Sequence, residues 1–226
     1  MKKAIILLLM LVAAASVVSA QTQKTIVILG DSLAAGFGVD PDQAYPSLLQ
    51  QKITAAGLPF KIINAGVSGD TTSDGLGRLN WLLKRKIDVL IIELGGNDGL
   101  RGLPVATIQS NLQAIVDRAK AKYPYIKIVI AGMRMPANLG QTYVDAYAQV
   151  FPEVARKNDA VLVPFLLQDV GGEVSLNQAD GIHPTAQGHK IVAENVWRVL
   201  KPVLDTFSQI LPVFPTFSHT IPKCQA

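Results

Sequence analysis

Four short clusters in this 226-residue chain carry side chains able to do chemistry: GDS at 30–32, NAGVSGDTT at 64–72, GGNDGLRG at 95–102 and DGIHP at 180–184. A serine hydroxyl such as that of Ser32 is a poor nucleophile at neutral pH and needs a base beside it. Histidine is the side chain whose ordinary titration falls near working pH, so His183 can serve as that base. Asp180 stands three residues before it. A turn at that spacing can bring the carboxylate to Nδ1, where it fixes the tautomer and stabilises the imidazolium. Acyl transfer further requires donors aimed at the developing oxyanion. The Ser32 N–H, the Gly69 N–H (where no Cβ blocks close approach) and the Asn97 side-chain amide can supply them. Gly66 competes with Gly69 for the same part.

Each cluster taken alone reads as an ordinary loop: a strand exit, a turn, a glycine-rich turn and a proline-led helix start. Their positions make the sharper case. Short, nearly continuous apolar runs recur at 25–29, 61–63, 89–94, 126–131 and 160–163, the pattern of parallel strands covered on both faces. Helical stretches separate them at 42–56, 76–85, 105–122, 143–157 and 185–200. Strand alternating with helix predicts an α/β sandwich around a central parallel sheet of about five strands. Sites in such sheets lie beyond the carboxyl ends of the strands, where the first three clusters fall.

Taken together, the four blocks resemble the SGNH hydrolases, also called the GDSL esterase/lipase family. They match as Gly30-Asp31-Ser32-Leu33, Gly69 within SGDT, Gly95-Gly96-Asn97-Asp98 and Asp180-Gly181-Ile182-His183-Pro184. The similarity runs from Lys24 to about Leu200, and ELGGNDGLRG and ADGIHP resemble in particular the bacterial periplasmic thioesterase I, arylesterase and lysophospholipase branch. The resemblance implies a flavodoxin-like, three-layer α/β/α fold and hydrolysis of esters and thioesters without a cofactor. It implies Ser32 as nucleophile, His183 as base, Asp180 as its orienter, and Ser32, Gly69 and Asn97 as the oxyanion hole; the SGDT register favours Gly69 over Gly66. Two other uses of the scaffold stay open, a carbohydrate acetyl-esterase with the same catalytic residues and a non-catalytic binding protein. The G-x-S-x-G elbow of an ordinary α/β-hydrolase is absent around Ser32. Asp31 and Asp98 are expected to shape their turns, and His189 to be a surface or packing histidine.

The expected substrate is a small or lipid-like ester. Leu33, Leu103, Met135, Pro136 and Ile182 are candidates to line its groove, and 133–138 resembles the family's mobile loop. Met133, nearer the strand, is expected to pack beneath that loop. Methionine offers an apolar surface that adapts to flexible chains.

Lys2, Lys3, the apolar run after them and Val18-Ser19-Ala20 form a signal-peptide pattern over 1–20. A soluble protein, exported to the periplasm or beyond, is therefore expected, with no stable membrane anchor after cleavage. Residues 21–202 form the expected hydrolase domain and 203–226 an irregular, proline-rich extension. Without Lys2 and Lys3, 19 basic residues face 17 acidic ones, a net charge of +2. No basic stripe interleaves with aromatics, so nucleic acid is a poor partner. Cys224 is the only cysteine, which excludes an internal disulfide and, with three scattered histidines, a Cys/His zinc site. A monomer without metal is expected.

Overall fold

A computed structural model describes residues 22–208. Five strands form one sheet in the order β2-β1-β3-β4-β5, every pair parallel. They are β1 (Lys24–Gly30), β2 (Phe60–Gly66), β3 (Val89–Glu93), β4 (Lys127–Ala131) and β5 (Val161–Val163). All five residues of β3 and the last five of β1 are buried, as expected of strands covered by helices on both faces. Each fully buried Ile, Leu or Val contributes roughly 1.5–3 kcal/mol relative to exposure, so the sheet is the chief hydrophobic asset of the fold.

The helices are α1 (Ser32–Ala35), α2 (Tyr45–Ala55), α3 (Thr72–Leu82), α4 (Gly96–Leu100), α5 (Val105–Lys122), α6 (Gln141–Lys157) and α7 (Ala186–Ser208). Helices α2 and α7 pack together in one layer, and α3, α5 and α6 in the other, giving the expected three-layer α/β/α sandwich. The strand order is the flavodoxin-like one, with its switch point between β1 and β3. The GDS cluster leaves β1 and the GGND cluster leaves β3, so the crevice opens between them.

Several boundaries differ from the sequence reading, among them three helix ends with a clear cause. The final helix does not stop at 200; it continues through Pro202 to Ser208, so the irregular extension does not begin at 203. A proline inside a helix forfeits one backbone bond. Val203 and Leu204 are buried past it, and Phe207 sets its ring edge-on to Phe60 at 5.3 Å between centroids. That packing keeps the helix going. Helix α3 starts at Thr72 rather than 76, because Thr71 and Asp74 form a reciprocal capping box. Helix α2 starts at Tyr45 rather than 42, with Pro46 in its first turn. The expected signal peptide, the rest of the extension, His219 and Cys224 lie outside the described residues.

Candidate active site

Ser32 opens the short helix α1 directly after β1. The Asp31 carboxylate caps that turn by accepting the Leu33 N–H at 3.0 Å. From the end of β3, Glu93 Oε2 accepts the N–H of Ala34 at 3.0 Å and that of Asp31 at 3.3 Å. Helix starts leave N–H groups unpaired, and here side chains take those of Asp31, Leu33 and Ala34. The Ser32 N–H is left without a hydrogen-bond partner among the described residues.

The loop before α7 brings His183 to the serine. Its Nε2 stands 2.9 Å from Ser32 Oγ, and its Nδ1 2.7 Å from Asp180 Oδ2. Asp180 Oδ1 also accepts the N–H groups of Ile182 and His183, each at 3.0 Å. The bond from His183, then these two, hold the Asp180 carboxyl down at about 2. An ionised Asp180 places the ring proton on Nδ1 and leaves Nε2 free to accept from the Ser32 hydroxyl. Gln178, which the sequence reading passed over, secures the loop. Its Nε2 donates to Phe37 O at 2.7 Å and Pro184 O at 3.0 Å, and its N–H to His183 O at 2.7 Å. Phe37 lays its ring 4.6 Å from the imidazole between centroids.

On the opposite side, Asn97 Nδ2 donates to Asp70 O at 3.0 Å and faces Asp31 Oδ2 at 3.3 Å. It thereby ties the turn after β2 to the turn after β1. Asp98 accepts from both the N–H and the hydroxyl of Thr72, at 2.8 and 2.6 Å, joining the turn after β3 to α3. Gly69 has φ 87°, a conformation that favours glycine. Its carbonyl accepts from Arg101 Nη2 at 3.0 Å, and among the described residues its N–H donates to no protein atom. Gly66, the competing donor, is otherwise employed. Its N–H goes to Asn64 Oδ1 at 2.9 Å, and a side chain there would run into the backbone of Ala34 and Ala35.

A groove of about 410 Å³ runs past Ser32, Asn97 and His183. Of the expected lining residues, Leu33, Met135, Pro136 and Ile182 do line it, with Leu100 and Phe165. Leu103 is not among the lining residues; its backbone carbonyl accepts the Tyr143 hydroxyl at 2.8 Å. Gly69 also lies outside the lining; its neighbour Asp70 is tied to Asn97 through its carbonyl. Met133 is buried, while Met135 is partly exposed and rests on Gly99. His189 is a packing histidine, 1 % exposed, whose Nδ1 accepts the Tyr45 N–H at 3.3 Å. Burial, and then the nearby His183, lower its pKa to about 4. Among the described residues no group of three His, Cys, Asp or Glu side chains could hold a metal ion, and no helix is long and apolar enough to cross a membrane.

A second residue that sequence reasoning missed is Glu93. It is fully buried, and burial, then the neighbouring Asp31 charge, drive its pKa well above the ordinary carboxyl range. Its signal was legible, since it is the one charged residue in the wholly apolar run VLIIEL.

A flavodoxin-like sandwich with serine, imidazole and carboxylate converging at its switch point defines a serine hydrolase. Residues 28–191 match the GDSL-like lipase/acylhydrolase family. The chain is 41 % identical to the esterase TesA of Pseudomonas aeruginosa over 182 residues, 80 % of this chain and 90 % of that protein. It is 35 % identical to the thioesterase 1/protease 1/lysophospholipase L1 of Escherichia coli over 187 residues, 82 % of this chain and 88 % of that one. A crystal structure of TesA superposes with TM-score 0.77 at 41 % identity, covering 80 % of this chain and 99 % of that chain. The chain belongs to the GDSL-like lipase/acylhydrolase family and is an SGNH serine esterase, a carboxylic ester hydrolase.

Proposed function

We propose that Ser32 is the nucleophile of this esterase, with His183 as general base and Asp180 as the group that orients it. We also propose that the enzyme favours medium-chain acyl esters and cleaves acyl thioesters. The observation that carries this reading is the relay from Ser32 Oγ through His183 to Asp180, at 2.9 and 2.7 Å. Ser32 Oγ attacks the acyl carbon while its proton passes to Nε2. The positive charge then on the imidazolium faces the Asp180 carboxylate. The carbonyl oxygen becomes an oxyanion held by the N–H groups of Ser32 and Gly69 and by Asn97 Nδ2. For that, Asn97 turns one amide hydrogen from Asp31 to the substrate. Collapse expels the alcohol or thiol, which takes the proton from Nε2. Water, deprotonated by the same nitrogen, attacks the acyl-serine ester; the acid leaves and Ser32 recovers its proton.

The apolar groove wall supports a chain-bearing acyl group, and the thioesterase name of the Escherichia coli relative supports thioesters. The test is a panel of nitrophenyl esters of increasing chain length with an acyl thioester and acetylated xylan beside them. kcat/KM should rise from acetyl toward medium chains, and a fluorophosphonate should label Ser32. An acetyl-preferring profile would instead support the carbohydrate acetyl-esterase.

We further infer that residues 1–20 direct export, so that a mature monomer starting at Gln21 works in the periplasm or outside the cell. N-terminal sequencing of periplasmic protein tests this; a chain beginning at Met1 in a membrane fraction would overturn it.

A further inference from the structure

Two buried acids sit directly beneath the nucleophile turn, and among the described residues no cation is hydrogen-bonded to either. Glu93 is 0 % and Asp31 2 % exposed. The register of the sheet sets Gly30 opposite Glu93, so the acid rises from the end of β3 under the residues that follow β1. Arg78, the guanidinium on this side, is used elsewhere: its Nη2 donates to Gly30 O at 2.9 Å and its Nε to Asp70 at 2.6 Å. The other titratable groups facing the pair are Tyr45 from α2, Tyr147 from α6, and His183 and Asp70 from the loops. Tyr147 donates its hydroxyl to Gly95 O at 2.8 Å. Tyr45 OH and Glu93 Oε1 are both buried without a hydrogen-bond partner.

Two ionised carboxylates at one turn, one bonded to the other's backbone N–H, out of water and without a counter-charge, are not tenable, so one of them must hold a proton. The hydrogen bonds say which. Asp31 accepts at both oxygens, from Leu33 N–H and toward Asn97 Nδ2. Glu93 uses only Oε2 as acceptor, and its Oε1 is the atom left over.

We propose that Glu93 is a positioning residue for the nucleophile turn: as an un-ionised acid it shares its proton with Asp31 and caps the N–H groups of Asp31 and Ala34, leaving the Ser32 N–H alone to serve the oxyanion. The consequence reaches further than the turn. Asp31, kept ionised by that shared proton, holds the Asn97 amide in place until the oxyanion takes that amide hydrogen. Two of the three donors of the proposed oxyanion hole, the Ser32 N–H and the Asn97 amide, therefore hang on one buried acid. Burial acts in the same direction on both groups, with Asp31 pushed up to about 6 and Glu93 raised further. The inference rests on the proposed roles of Ser32 and Asn97.

Glu93→Gln and Glu93→Leu separate this from a merely structural part. The glutamine can still accept both N–H groups through its carbonyl oxygen and donate to Asp31 through its amide. Glu93→Gln should keep kcat within about threefold, while Glu93→Leu should lose about tenfold or more in kcat with KM within about twofold, the pattern of an oxyanion hole disturbed. Infrared spectroscopy needs no leucine variant to fold. At pH 8 the wild type should show the carbonyl stretch of a buried un-ionised carboxyl, and Glu93→Gln should lack it. Absence of that band in the wild type, or its persistence in Glu93→Gln, would overturn the proposal. So would a Glu93→Gln enzyme as impaired as Glu93→Leu. Failure of the nucleophile assignment would show differently, as an active Ser32→Ala protein with the band unchanged.

Discussion

Asp31 and Asp180 flank the same serine from opposite regions of the molecule and stand in opposite electrostatic situations. Asp31 lies on the floor, sealed between β1 and β3, with the Leu33 N–H, a longer contact to Asn97 and a second acid behind it. Burial pushes it up to about 6. Asp180 lies on the rim, its side chain 38 % exposed, and gathers an imidazole and two backbone N–H groups, which hold it at about 2. Nearness to the nucleophile does not decide a carboxyl group's charge; the donors around it and the water it keeps do. The floor is built to hold little charge and a fixed shape. The rim keeps a full charge facing the group that must become cationic.

The largest expected effects test the rim. Ser32→Ala should lower kcat/KM by at least about 10⁴-fold, with His183→Ala nearly as severe because the two act as a unit. Asp180→Asn should cost less than either, since the two backbone N–H groups still hold the loop around it. Initial rates on a nitrophenyl ester, with circular dichroism to verify folding, measure all three. Near-native turnover by either alanine variant would break the division, because the reacting pair would then lie elsewhere.

Asn97 belongs to both regions, for its amide spans Asp31 on the floor and the turn after β2 on the rim. Asn97→Ala should lower kcat by roughly 10²–10³-fold with a smaller change in KM, as expected of a donor used mainly in the transition state. A raised KM with kcat unchanged would make Asn97 a substrate-binding residue.

The two regions also differed in how far the sequence disclosed them. Parallel strands read clearly because runs such as IVIL and VLII are apolar on both faces, and the blocks holding Ser32, Gly69, Asn97 and His183 read clearly because their residue types are chemically complementary. What stayed hidden depends on contacts distant in the chain. Glu93 meets Asp31 only through the register of β1 on β3, and Gln178 reaches Phe37 across 141 positions. Leu103 is apolar enough for the groove, but the turn that carries it lies outside the groove's lining. Helix α3 was misplaced because Gly75 and Gly77 mask its start; Gly75 is there to let the helix close on Leu94. Pro202 suggested a helix end, and only the packing of Val203, Leu204 and Phe207 overrides it.

The same comparison predicts separate pH windows for stability. Asp31 is raised, so the folded state holds more protons than the unfolded chain between 3.8 and about 6. Its contribution is full below 3.8 and lost as pH rises through about 6, a distance corresponding to about 3 kcal/mol. Asp180 is depressed, so its contribution is present above 3.8 and lost as pH falls through about 2. His189, lowered from 6.5 to about 4, makes stability rise with pH between those values and so opposes Asp31. Asp31→Asn should therefore steepen the rise of stability between pH 4 and 6 relative to wild type, and Asp180→Asn should leave that slope alone. Urea unfolding at several pH values gives the slopes; equal slopes for wild type and Asp31→Asn would show that Asp31 is not the raised acid in that window.

The smallest effect concerns the groove wall, where neither charge nor the proton relay is involved. Met135 is partly exposed, lines the groove and rests on Gly99, two residues along from Asn97. Each methylene of an acyl chain gains about 0.8 kcal/mol when fully buried, and an open groove delivers a fraction of that. Wild-type kcat/KM should accordingly climb from acetyl to octanoyl esters. A carboxylate at position 135 would keep its own water and strip the wall of apolar surface over which the chain lies. Met135→Asp should therefore lower the octanoyl-to-acetyl ratio of kcat/KM by about tenfold while acetyl turnover changes about twofold or less. Equal losses on both esters would instead mean that the loop acts on Asn97 through Gly99, joining the wall to the floor, and the chain would have to lie on the Leu33 and Ile182 side of the groove.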